Sequence, residues 1–189
     1  IEVHPKAVEA FAEAAWVKIH EQGLACAFDT VCGIPQGGRT FGQMLALVGG
    51  KKFAYADKKP KPTESGRKQE YTWDLSQFDF EHGERIAIAE DVFNNFQNTD
   101  HTIIEVAKVG EVVVSILVGA LNRSPYVRGH YTICEGSPGE DVIPVVAAID
   151  TPYPEYEQDD PAVASDIAAG KLELEVKKNW ARLCAAMQQ

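Results

Sequence analysis

Glu90 and Asp91 stand side by side between an apolar run, Arg85 to Ala89, and a polar stretch that reads Asn94-Asn95-Phe96-Gln97-Asn98-Thr99. Adjacent carboxylates accept hydrogen bonds from hydroxyl groups. The amides of a loop that runs into a helix N-terminus hold anions, most commonly phosphate. Together they suit a phosphorylated sugar, with Glu90 and Asp91 on ribose hydroxyls and Asn94, Asn95, Gln97, Asn98 and Thr99 on the phosphate. The pattern predicts a buried strand over 85–89 that stops at the acids, then a helix beginning near Thr99. In a parallel sheet, that puts the acids outside a strand's carboxyl end, where α/β proteins bind ligands.

A second group lies upstream. Leu24 to Val31 is β-capable and runs into Cys32-Gly33-Ile34-Pro35-Gln36-Gly37-Gly38-Arg39, with a helix expected over 40–48. Strand, glycine-rich turn and helix form a phosphate-binding layout, although such turns also exist simply to let a chain bend. After a short strand, Lys52 to Ala56, the segment Asp57 to Lys68 is basic and broken by Pro60 and Pro62. It reads either as a solvated hairpin or as a lid bringing Lys58 and Lys61 against the charge on a departing polyphosphate. Further on, a strand over 112–121 ends at Asn122-Arg123, where an arginine serves a surface ion pair or an anionic ligand.

These residues carry a family resemblance. An apolar strand, the Glu90-Asp91 pair and a polar loop to Thr99 resemble the phosphoribosyl-pyrophosphate (PRPP) signature of type I phosphoribosyltransferases, and the chain is most similar to the orotate type. Gly33-Ile34-Pro35-Gln36-Gly37-Gly38 resembles that family's pyrophosphate loop. The sequence departs from the pattern in the loop after the acids, where Asn94 to Asn98 replace Thr and Gly. It departs again in the lid, where Asp57 replaces an arginine and no histidine occurs, and at Asn122, which replaces an aspartate.

The resemblance implies transfer of 5-phosphoribose from PRPP to a nitrogenous base, best matched by orotate in pyrimidine nucleotide synthesis, with Mg²⁺ bound through the pyrophosphate. It casts Lys58, Lys61 and Asp91 as catalytic groups. Gln36, Gly37, Gly38 and Arg39 would bind pyrophosphate, Glu90 and Asp91 the ribose, Asn94, Asn95, Gln97, Asn98 and Thr99 the 5′-phosphate, and Arg123 the base. It implies a cytoplasmic homodimer. The altered loop and lid leave two alternatives: a non-catalytic PRPP- or nucleotide-binding regulatory protein, or a purine or uracil phosphoribosyltransferase.

The elements that must position these groups alternate along the chain. An amphipathic helix over 5–22 comes first, then strands and helices in turn, with central strands apolar on both faces. That predicts an α/β fold: one mostly parallel sheet flanked by helices, with a lid hairpin over about 57–72 and a helical tail over 161–189. In the tail, Val176, Trp180, Leu183, Cys184 and Met187 form a stripe that covers the sheet or builds a subunit contact. With 189 residues, one domain is expected. A net charge of −10 disfavours nucleic-acid or anionic-membrane binding. Four cysteines and five histidines show no metal-ligand spacing, so no protein-held metal is expected, and the cysteines read as buried free thiols.

Overall fold

The computed structural model describes residues 4–62, 71–132, 142–157, 159–173, 175–176 and 178–187. Cys134 and the lid residues Arg67 and Lys68 lie outside them. The chain divides into two compact units, Ile1–Tyr153 and Pro154–Gln189.

The first unit opens with helix α1 (Pro5–Glu21), started by a proline in its first turn. Strand β1 (Thr30–Gly33) leads through a three-residue turn into helix α2 (Gly37–Gly49). Strand β2 (Lys52–Tyr55) follows, then β3 (Asp57–Pro60) and β4 (Tyr71–Asp74), which pair as an antiparallel hairpin. Strand β5 (Arg85–Phe93), helix α3 (Gln97–Val106), strand β6 (Val113–Asn122), strand β7 (His130–Thr132) and strand β8 (Val142–Asp150) complete the unit. The main sheet runs β2-β1-β5-β6-β8-β7, with β7 antiparallel to β8 and every other pairing parallel. No helix among the described residues is long and apolar enough to cross a membrane.

The apolar runs of the central strands are buried on both faces. Val31, Ala87, Ala89, Ile116 and Val118 meet Val8, Ala12, Ala15 and Ile19 of α1 and Phe41 and Leu45 of α2. Cys32, Ile86, Ile88 and Leu117 face the other way, against Ile103 and Val106 of α3 and Trp73 and Leu75 at the hairpin's base. Burial pushes the Cys32 thiol up to about 12. Cys26, by contrast, is exposed, so the expectation of uniformly buried thiols is corrected.

Three boundaries depart from the sequence expectation. Strand β5 does not stop at the acids but pairs with β6 through Val92–Leu121 and Phe93–Asn122, so Glu90 and Asp91 lie within a strand. Helix α2 begins at Gly37, not Thr40, because residues without a Cβ let its first turn come against β5. Strand β1 is confined to Thr30–Gly33, since residues 24–29 form turns at the end of α1.

The second unit holds helix α4 (Pro161–Ala168) and helix α5 (Trp180–Met187). Asp160 caps α4 by accepting from the Ala162 amide at 2.8 Å. The expected continuous tail helix is two short ones, separated by Gly170 with φ of +67°. Val176 and Trp180 are exposed; the side chains of Leu183 and Met187 lie outside the described set.

The glycine-rich turn is fixed by contact. A Cβ on Gly38 would lie 2.4 Å from the Ala89 carbonyl oxygen and 3.0 Å from the Glu90 Cα. Gly38→Ala therefore forces backbone apart and should cost about 1–3 kcal/mol in urea denaturation. Gly110→Ala, whose nearest new neighbour is a Val112 methyl at 3.9 Å, should be near neutral. Equal stability of the two variants would contradict this packing.

Candidate functional site

Strand order reverses direction between β1 and β5: the chain leaves β1 toward β2 on one side, and leaves β5 toward β6 on the other. The crevice at such a switch point, at the strands' carboxyl ends, is where open α/β sheets bind ligands. Here it is bounded by Pro35 to Gly38 on one side and by Glu90, Asp91 and the following loop on the other. The two walls touch. A Cβ on Gly37 would lie 2.2 Å from Asp91 Oδ2, so only glycine lets the start of α2 come against that carboxylate. Asp91 remains half-buried and Gln36 exposed, which leaves both open to a ligand.

Glu90 is differently placed. It is 8 % exposed, and Thr99, itself fully buried, donates its hydroxyl to Glu90 Oε2 at 3.1 Å. Burial pushes the Glu90 carboxyl up to about 7, with the Asp91 charge adding to the rise, while hydrogen bonds from Thr99 and Asn98 hold it down. Near neutral pH the Glu90 carboxyl is therefore partly protonated, which lowers the charge of the pair.

The loop after the acids is not an open cradle. Phe96 adopts the left-handed conformation, φ 60°, and its ring is 4 % exposed. It stacks on Phe93 at 4.7 Å and 9°, and on Tyr131 at 5.1 Å and 11°. Left-handed backbone costs a non-glycine residue about 1–2 kcal/mol. Two aromatic stacks at about 0.5–1.5 kcal/mol each offset it. Gly119 makes room, since a Cβ there would meet the Phe93 ring at 2.7 Å. Asn95 Oδ1 accepts from the Gln97 amide at 3.3 Å, taking up one donor at the start of α3. The helix begins at Gln97, two residues before the expected Thr99.

Of the sequence-derived candidates, the fold brings Gln36, Gly37, Gly38, Glu90, Asp91 and Asn94 to Thr99 to this one crevice. Thr99 is not available to a ligand, because its hydroxyl is committed to Glu90. Arg39 is also committed: its guanidinium pairs with Asp57 and lies over the Tyr55 ring at 3.8 Å. Asp57, placed where the resembled family carries arginine, thus neutralises an arginine from the glycine-rich turn. Lys61 is exposed beyond the end of β3 and lines neither cavity described below. Arg123 is exposed at the end of β6, and its backbone amide donates to the Phe93 carbonyl at 3.1 Å. Asn122 is fully buried and organises the loop, donating to the Val127 carbonyl and accepting from the Ser124 amide.

Two cavities open beside the hairpin. One, ≈390 Å³, is lined by Pro35, Gln36, Lys58 and Tyr71. The other, ≈340 Å³, is lined by Lys58, Tyr71, Trp73, Gln97, Asn98 and His101. Tyr71, Trp73 and His101 were not among the sequence candidates. Only the pairing of β3 with β4 and its packing on α3 gathers them, and no local motif announces that. No cluster of three or more His, Cys, Asp or Glu side chains able to hold a metal occurs among the described residues.

No protein-family model matches the sequence, and no curated protein matches it. Solved structures do match in fold. An adenine phosphoribosyltransferase is 14 % identical with a TM-score of 0.55, over 78 % of this chain and 83 % of that one. Adenine phosphoribosyltransferase from Rhodothermus marinus is 19 % identical with a TM-score of 0.51, over 79 % and 82 %. A hypothetical protein from Neisseria gonorrhoeae with bound ppGpp is 15 % identical with a TM-score of 0.51, over 85 % and 87 %.

The Glu90 shift has a measurable consequence. Its carboxyl keeps its proton in the folded protein up to about 7, against an ordinary 4.5. The folded state thus binds more protons than the unfolded state between those values, and stability from this group is lost as pH rises through that window. Glu90→Gln should gain stability over the parent between pH 5 and pH 8 by about 2 kcal/mol, read from denaturation midpoints. A pH-independent difference would mean that Glu90 ionises normally.

Proposed function

We propose that this chain, which has the type I phosphoribosyltransferase fold, is a phosphoribosyltransferase that moves 5-phosphoribose from PRPP to a nitrogenous base and releases pyrophosphate. The observation that carries this reading is the contact of Gly37 and Gly38 with Glu90 and Asp91 at the switch point. It sets the start of α2, where Gln36 is exposed, beside a half-buried carboxylate. A sugar bearing pyrophosphate needs that combination.

In the reaction, the C1′–oxygen bond to pyrophosphate breaks and its electron pair leaves with the pyrophosphate. A base nitrogen forms the new bond to C1′ and loses its proton. Positive charge develops on the ribose ring and negative charge on the leaving group. Asp91 accepts hydrogen bonds from the ribose hydroxyls and faces the ring's developing charge. The amides of Gln36, Gly37 and Gly38 and the ammonium of Lys58 face the pyrophosphate. Gln97 and Asn98, exposed in the first turn of α3, serve the 5′-phosphate.

Mg²⁺ takes oxygen ligands, usually one or two carboxylates with the rest from substrate phosphates and water. Asp91 fits that role, with the pyrophosphate supplying the other oxygens. When bound, the ion neutralises the leaving charge. For the base, Arg123 supports orotate, since an exposed guanidinium binds a carboxylate in two-pronged fashion. The adenine phosphoribosyltransferases of like fold support a purine as the alternative. A homodimer is proposed from the family resemblance.

One observation favours a second reading. Phe96 fills the loop and Asn95 occupies an amide at the start of α3, which suits a protein that binds PRPP or a nucleotide without turnover. The ppGpp-bound neighbour is of the same fold.

Calorimetry with PRPP and Mg²⁺, followed by pyrophosphate release with orotate, adenine and uracil, separates these. The expected result is PRPP binding, release with orotate, and at least about tenfold weaker binding in Asp91→Asn, the size of one charge-assisted contact. Binding without release for every base would establish the second reading. Absence of binding would remove both.

A further inference from the structure

Lys58 differs from the ion-paired cations of this acidic chain. Lys59 beside it pairs with Asp74, Lys52 with Glu81 and Glu84, Arg39 with Asp57, Arg85 with Asp29 and Arg128 with Asp150. Lys58 has no carboxylate partner among the described residues. Its ammonium lies instead 4.3 Å from the centre of the Tyr71 ring and 5.4 Å from that of Trp73. At an exposed site such ring contacts are weak, so they hold the ammonium in place without satisfying it.

The cavity in front of Lys58, between the hairpin and the first turn of α3, is lined by donors. Gln97 and Asn98 bring carboxamide N–H groups, His101 a ring N–H and Lys58 its ammonium; no carboxylate among the described residues lines it. Trp73 fixes the wall by donating Nε1–H to the Asn98 carbonyl at 3.3 Å. The Asn98 side chain also reaches Glu90, so this cavity adjoins the acid pair. The loop position that would otherwise take a phosphate is filled by the Phe96 ring and capped by Asn95.

The geometry points to this cavity as a phosphate-monoester site, with Lys58, Gln97, Asn98 and His101 as its donors. Lys58 also lines the neighbouring cavity at Pro35 and Gln36, so one ammonium lies between two anion positions. A ribose carrying phosphate at one end and pyrophosphate at the other matches that arrangement. This identification of the ligand rests on the proposed function, whereas capture of a phosphate by the cavity does not.

The test is titration of the full chain with inorganic phosphate and, separately, with Mg²⁺-pyrophosphate, read by calorimetry and by Trp73 fluorescence, with Trp73→Phe identifying the signal. Circular dichroism checks that each variant folds. Saturable phosphate binding is expected, weakened about tenfold in both Lys58→Met and His101→Ala and unchanged in Lys108→Met. Mg²⁺-pyrophosphate should lose affinity in Lys58→Met and keep it in His101→Ala. Phosphate binding that does not saturate, or that either Lys58→Met or His101→Ala leaves intact, would overturn the site. If phosphate follows the expected pattern while PRPP does not bind, the phosphoribosyl reading falls and the anion site stands.

Discussion

The structure depends on the absence of two side chains. At Gly37 and Gly38 the start of α2 comes against β5 so closely that a methyl group at either position would overlap the Asp91 carboxylate or the Ala89 carbonyl. Gly33 repeats the constraint at the end of β1, where a Cβ would lie 2.7 Å from the Gly38 oxygen. These three glycines bring the start of α2 and the strand carboxylates together at the carboxyl ends of β1 and β5. Any ligand there sees both at once, and the hairpin beyond β2 supplies Lys58, which lines the cavity at Pro35 and Gln36.

Electrostatics refine that geometry. Two adjacent ionised carboxylates would repel a polyphosphate, but burial keeps Glu90 partly neutral, and Thr99 holds it by a hydrogen bond. Elsewhere in the first unit Arg39, Lys52, Lys59, Arg85, Lys108 and Arg128 are neutralised by local carboxylates, whereas Lys58 and Arg123 have no ion pair among the described residues. A chain with net charge −10 cannot attract anions through its overall field, so specific groups must do so.

Much of this was readable from the sequence, for physical reasons that also mark where reading stops. The apolar runs of β5 and β6 announce strands buried on both faces, and the glycine-rich turn and acid pair announce the switch point. The extension of β5 past Asp91 was not visible, because strand pairing with β6 outweighs the local cost of placing carboxylates in a strand. The sequence marks the loop around Phe96 as altered, with Asn94 to Asn98 in place of Thr and Gly. That the Phe96 ring would be stacked between Phe93 and Tyr131 depended on a residue in a distant strand. The pairing of Arg39 with Asp57 was not visible for the same reason: the two stand 18 residues apart and meet only once the chain folds. The cavity at Lys58 and His101 exists only once the hairpin folds onto α3.

Hydrogen–deuterium exchange with and without saturating PRPP and Mg²⁺ tests the central claim most directly, because it reports on both walls of the crevice in one experiment. If Gly37–Gly38 and Glu90–Asp91 form one pocket, exchange should slow together at the amides of Gln36 to Gly38 and of Gln97 and Asn98. Protection confined to one wall, or at neither, would contradict it.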